Sequence, residues 1–164
     1  MSLLVTHLDA AYNLARWLMR NEADAEDSVQ DAYLRAFNHF AGFRGGDGRA
    51  WLLTIVRNSC FDRLKQKGPR GQDTDFDEAV HSVGRQTSNA ETLLILQERA
   101  ELVTESLAEL PAEYREVLVL RELQQLSYRE IADIAGIPLG TVMSRLSRAR
   151  QRLQQSLLAT SQSQ

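Results

Sequence analysis

The sequence predicts an all-α protein: two small helical domains joined by a flexible linker. Three observations carry this. Apolar residues recur at helical spacing through most of the 164 residues, and no stretch alternates apolar and polar side chains as a half-buried strand would. Residues 68–92 break the pattern, with Pro69, three glycines and the acidic Asp73, Asp75, Asp77 and Glu78. Such a composition buries too little apolar surface to order itself. Residues 127–152, SYREIADIAGIPLGTVMSRLSRARQR, read as two short helices about a tight turn, a helix-turn-helix.

Residues 7–19 place Leu8, Ala11, Tyr12, Ala15, Leu18 and Met19 on one stripe, the pattern of an amphipathic helix. Residues 21–24 interrupt it and can cap the next helix. That helix, 24–40, opens with Asp24, Glu26 and Asp27 at the positive end of its dipole. Val29, Ala32, Tyr33, Ala36, Phe37 and Phe40 form its expected core side, and Asp27, Gln30, Asp31, Leu34 and Arg35 its outer face. An apolar Leu34 among polar neighbours suggests a partner surface. AGFRGGDG at 41–48 is a glycine-rich loop, without the Gly-Lys-Ser/Thr that would make it a phosphate loop.

Residues 49–67 form a third helix, with Trp51, Leu52, Ile55, Val56, Cys60, Phe61 and Leu64 apolar and Arg49, Arg57, Asn58, Arg63, Lys65 and Lys67 exposed. Cations beside aromatics suit a single nucleic-acid strand, but periodicity assigns Trp51 and Phe61 to the core. Residues 90–110 continue with Leu93, Leu94, Leu96, Ala100, Val103, Leu107 and Leu110. Pro111 marks a restart, and 112–123 carry Tyr114, Val117, Leu118, Leu120 and Leu123.

In the helix-turn-helix, Ile131, Ala132 and Ala135 lie on the first helix, and Gly136 can take the left-handed conformation that ends it. The second helix buries Val142, Leu146, Ala149 and Leu153. Its other face presents Thr141, Ser144, Arg145, Arg148 and Arg152, donors suited to base edges and phosphates. From Gly140 onward there are four arginines and no acidic residue. Residues 159–164 form a polar tail expected to fray.

Net charge is −3, so any contact with nucleic acid must be local. Cys60 is the single cysteine, which excludes an internal disulfide, fits a reducing compartment and reads as a small core residue. The N-terminus has no basic stretch followed by an apolar core, and no apolar run approaches bilayer length. The expectation is a cytoplasmic chain without membrane insertion. His7, His39 and His81 lie far apart, and no metal-ligand spacing or nucleophile motif occurs. No catalytic residue, metal or cofactor is expected, and the chain is not read as an enzyme.

Three pieces in order, DAEDSVQDAYLRAF, FRGGDGRAWLLTIVRNSCFDRLK and LPAEYREVLVLRELQQLSYREIADIAGIPLGTVMSRLSRARQRL, resemble bacterial RNA polymerase sigma factors of the extracytoplasmic-function (ECF) type. The resemblance spans most of the chain, from Tyr12 to Leu153. It implies a σ2-like domain at 1–67, a flexible acidic linker at 68–92, a σ4-like domain at 93–158 and a tail at 159–164. It implies core RNA polymerase as partner, docked through the β′ clamp helices by Asp27, Gln30, Asp31, Leu34 and Arg35 and through the β flap by the σ4-like domain.

Promoter DNA is the second implied partner. Loop 43–48, with Phe43, and helix 49–67 would read and melt the −10 element, with Asn58 in a base pocket and Arg57 and Arg63 on the backbone. The helix-turn-helix would read the −35 element through Arg145 and Arg148, with Thr141, Ser144 and Arg152 nearby and Arg129 on a phosphate. An anti-sigma factor is the implied regulator. The alternative is a stand-alone dimeric helix-turn-helix regulator, which would bind duplex DNA without polymerase.

Overall fold

The computed structural model describes residues 2–43, 45–68 and 90–162, so most of the expected linker lies outside the described residues. Eight α-helices and no strand occur among them: α1 (Ser2–Thr6), α2 (Leu8–Met19), α3 (Glu22–Asn38), α4 (Gly48–Lys67), α5 (Ala90–Glu109), α6 (Ala112–Leu118), α7 (Tyr128–Ala135) and α8 (Leu139–Gln162). A 3₁₀ turn at Phe40–Gly42 follows α3, and a π-turn at Val119–Leu123 extends α6.

Local chemistry sets the helix ends. Asn21 caps α3 by accepting from the Asp24 amide at 3.0 Å, and Asp47 caps α4 by accepting from the Arg49 and Ala50 amides. Ser127 and Glu130 form a reciprocal capping box on α7. Gly136 ends α7 at φ 68°, a left-handed conformation that a Cβ would strain. In the loop before α4, Gly45 and Gly46 have φ of 86° and 93°. Thr160 Oγ1 donates to Ser156 O, and α8 runs to Gln162, into the expected tail.

α2, α3 and α4 pack together as one three-helix unit. The α3 side of this seam is small: Ala25, Ser28, Val29, Ala32 and Ala36 are buried. Helices meeting on small residues approach closely, which leaves no room for the larger side chains of the expected stripe. Phe37 is accordingly 61% exposed and Phe40 39%, contrary to their expected place in the core. α1, a helix that sequence periodicity did not indicate, lies across this unit, and the Tyr33 hydroxyl donates to Leu4 O at 2.5 Å.

α6, α7 and α8 build the second unit around Val117, Leu120, Leu126, Ile131, Ile134 and Leu146. Burying each such aliphatic side chain contributes about 1.5–3 kcal/mol. α5 packs along α8 but keeps Leu94, Ile95 and Val103 exposed. Leu94 and Val103 therefore leave the core stripe expected of them, and the side chains of Leu93 and Leu96 lie outside the described residues.

The two units share one continuous apolar core, with α7 against α4 and α6 against α2. Buried polar tethers cross the junction. The Arg115 guanidinium, 3% exposed, donates to Ala108 O at 3.3 Å, Leu110 O at 2.6 Å and, across the junction, Leu18 O at 2.9 Å. Burial pushes its pKa down to about 9, with Arg20 adding repulsion, so it remains charged at neutral pH. The π-turn ends in an i+5 bond from the Gln124 amide to Val119 O at 3.0 Å. The side-chain Nε2 of Gln124 then donates to Ala10 O at 3.2 Å.

Cys60 is fully buried on α4, and burial pushes its thiol up to about 12 from 9.0. That shift lowers the thiolate fraction about a thousandfold near neutral pH. The native protein should therefore resist thiol-reactive disulfide reagents over hours and react fully once unfolded in urea. Rapid labelling of the native protein would contradict the burial.

Candidate nucleic-acid interface

The helix-turn-helix builds the first part of the candidate interface. Val142, Leu146 and Ala149 are buried, holding α8 against its neighbours. Ser144, Arg148 and Arg152 are exposed on the opposite face, and Thr141 and Arg145 are half-buried beside them. From Thr141 to Arg152 this face runs about 16 Å along the helix, the length of about five base pairs at about 3.4 Å each. Ser144 Oγ donates to Gly140 O at 3.0 Å. The Arg152 guanidinium lies 4.9 Å from the Tyr114 ring centroid. Arg129 is exposed on α7. Arg150, by contrast, is paired with Glu122 at 2.9 Å.

The second part lies on α4 and the loop before it. Phe40, Phe43 and Trp51 form an aromatic cluster, with ring centroids 5.0 Å apart for Phe43–Trp51 and 6.2 Å for Phe40–Trp51. Trp51 is half-buried rather than enclosed in the core. Asn58 is exposed two turns further along α4, on the same face as Trp51. A cluster of rings in edge-to-face and tilted contact, followed by an amide, can stack and hydrogen-bond an unpaired base.

The cations of α4 are less available than their spacing suggests. Arg57 Nε donates to Glu116 Oε2 at 2.7 Å, its Nη1 donates to Asn58 Oδ1 at 3.3 Å, and its guanidinium lies 4.1 Å from the Phe61 ring centroid. Arg63 binds Asp31 at 2.5 Å and lies 4.0 Å from Asp27. Lys67 pairs with Asp24. Arg63 thus connects a predicted DNA contact to two predicted polymerase contacts across the α3–α4 seam.

The outer face of α3 is the third surface. Asp27, Gln30, Leu34 and Arg35 are exposed and Asp31 half-buried, with Arg35 paired to Asp62 at 3.2 Å. Leu34 is 65% exposed and stands beside the displaced Phe37, making an apolar ridge in a charged surround. Sequence periodicity put the phenylalanines on the wrong side. The signal that would have found them is the run of alanines at 25, 32 and 36, which already supplies a close-packing stripe.

Glu116 is fully buried at the junction between the units, and its Oε1 has no hydrogen-bond partner. Burial pushes its carboxyl above the usual carboxylate range, opposed by the neighbouring Arg57 and Arg145. Among the described residues no cluster of three or more His, Cys, Asp or Glu could hold a metal ion, and no helix is long and apolar enough to cross a membrane.

Comparison with known proteins assigns both units. Residues 3–70 match the Sigma-70 region 2 family and residues 100–153 match Sigma-70, region 4. The chain is 36% identical over 137 residues to the ECF RNA polymerase sigma-E factor of Escherichia coli (strain K12), covering 79% of this chain and 72% of that protein. It is 33% identical over 151 residues to the ECF RNA polymerase sigma factor SigE of Mycolicibacterium smegmatis, covering 92% of this chain and 58% of the relative. Among solved structures, the sigma factor RpoE in complex with the anti-sigma factor NepR from Bartonella quintana superposes with a TM-score of 0.75 at 31% identity, over 94% of this chain and 93% of that one. CnrH, in complex with the cytosolic domain of CnrY, superposes with a TM-score of 0.64 at 27% identity, over 96% and 86% of the two chains. The helical fold and both family matches agree, and the chain belongs to the ECF RNA polymerase sigma factors of the sigma-70 family.

Proposed function

We propose that this chain binds core RNA polymerase and directs it to promoters with two spaced elements, without catalysing a reaction itself. The observation that carries this reading is the separation of surfaces: an apolar-and-acidic face on α3, an aromatic-amide face on α4 and a hydroxyl-guanidinium face on α8. Residues 1–67 and 93–158 are its working units. Asp27, Gln30, Asp31, Leu34 and Arg35 dock on the β′ clamp helices, and the unit 93–158 meets the β flap. Phe43 and Asn58 take an unstacked −10 base, with Arg57 and Arg63 on the strand. Flipping a base costs a few kcal/mol, which stacking and edge hydrogen bonds repay. Thr141, Ser144, Arg145, Arg148 and Arg152 read the −35 element in the major groove, with Arg129 on its backbone.

A net charge of −3 disfavours duplex binding by the isolated protein. Polymerase supplies the missing affinity by presenting both units to one promoter, so that the second contact is intramolecular. An anti-sigma factor holds the protein inactive by covering these faces; the sigma factor RpoE, to which this chain is similar, is in complex with the anti-sigma factor NepR. The match of residues 3–70 to sigma region 2 displaces the dimeric-regulator alternative.

The test is run-off transcription from a randomised promoter library with core polymerase of the native host, with and without this protein. Transcripts that require it, from promoters sharing two spaced elements, are expected. Leu34→Asp should reduce core binding at least tenfold while leaving the helical content unchanged, because a carboxylate replaces the apolar ridge. Normal core binding by that variant would remove α3 from the docking surface.

A further inference from the structure

Glu116 sits where the two reading units meet. Arg57 of α4, a proposed −10 contact, donates to its carboxylate at 2.7 Å. Arg145 of α8, a proposed −35 contact, acts on the same carboxylate electrostatically. Among the described residues Glu116 is the one buried acid at the junction, and it is ion-paired to a proposed DNA contact of α4. Its second oxygen is unpartnered, although the group is 0% exposed. An orphaned buried oxygen is an uncompensated desolvation cost, so the closed pairing leaves Glu116 only partly satisfied.

Arg57 is already shaped for a phosphate. The Phe61 ring fixes one side of its guanidinium, and Nη1 engages the Asn58 amide oxygen. The closed arrangement thus occupies both the strand contact and the adjacent base-reading amide. We propose that Glu116 is an internal substitute for a strand phosphate, holding the two units closed on Arg57 until a nucleic-acid phosphate takes its place. The inference deepens the reading of Arg57, Asn58 and Arg145 as DNA contacts and rests on it. Glu116 then discriminates against DNA binding by the free protein, because an incoming strand must displace an intramolecular carboxylate.

The experiment measures closure and strand binding on the full chain. Glu26→Cys and Gln155→Cys, both at exposed positions, carry spin labels for pulsed electron–electron distance measurement, and buried Cys60 stays unlabelled. The parent should give one narrow distance population. Glu116→Gln should add a longer population and bind an oligo(dT) strand about tenfold more tightly. Glu113→Gln removes an equal charge one turn away from an exposed position and should change neither. Arg57→Gln should open the units like Glu116→Gln but without tighter strand binding, which also covers the case of a misfolded Glu116 variant. Saturating oligo(dT) should shift the parent toward the longer population. An unchanged distance distribution in both Glu116→Gln and Arg57→Gln overturns the proposal. So does opening of Glu116→Gln with strand affinity equal to that of Glu113→Gln. Core-polymerase binding by the parent, measured in parallel, reports separately on the sigma-factor reading: its failure would leave the distance result standing, and its success would leave the latch open to refutation.

Discussion

Arg115→Ala should lower the unfolding free energy by about 3–5 kcal/mol. Arg115 is 3% exposed and donates to three main-chain carbonyls, at Ala108, Leu110 and Leu18. Removing the cation relieves its own desolvation, visible in a pKa brought down to about 9. It also leaves carbonyls buried without donors and a void where the side chain lay, and each orphaned carbonyl costs about 1–3 kcal/mol. The losses exceed the relief. Urea unfolding followed by circular dichroism measures the change. Arg115→Met separates the causes, since it keeps the apolar stem and loses the donors. Parent-like stability in that variant would assign the role of Arg115 to packing alone.

Arg148→Ala should reduce transcription from promoters with an intact upstream element about 5–150-fold, the loss of about 1–3 kcal/mol for a bidentate base contact. Arg148 is the cleaner choice on α8. It is exposed, whereas Arg145 is half-buried and acts on Glu116, so Arg145→Ala would disturb the junction as well as the reading face. The midpoint of thermal unfolding and the affinity for core polymerase should not change. Transcription from promoters scrambled at the upstream element should be equally weak with either protein. A uniform loss across all promoter sequences, with a salt dependence shallower by about one charge, would make Arg148 a phosphate contact rather than a base contact.

The helices were legible because their signals are local. The capping residue Asn21, Gly136 as a left-handed end, and the stripe Val142–Leu146–Ala149 each act within a few residues of chain. The division into two helical units and the helix-turn-helix followed from the same signals, and the family matches agree with them. What periodicity could not decide was which neighbour each face would meet. Phe37 and Phe40 obey the helical spacing of a core stripe, yet the close α3–α4 contact on alanines turns them outward. Arg57 and Arg63 were legible as exposed cations, but not that Glu116 and Asp31, distant in sequence, would engage them. A partner reached across the fold leaves no periodic trace in either segment.

The tethers across the junction are unequal in kind. Arg115 and Gln124 supply side-chain donors from one unit, while Leu18 and Ala10 of the other supply only main-chain carbonyls. A main-chain acceptor survives any side-chain replacement that preserves the helix. Sequence drift along α2 can therefore proceed at those two positions without deleting an acceptor, whereas a single codon change at Arg115 or Gln124 removes a donor outright. The two tethers are thus lopsided in what a substitution can remove: the donor is lost at Arg115 or Gln124, whereas the acceptor is kept at Leu18 or Ala10.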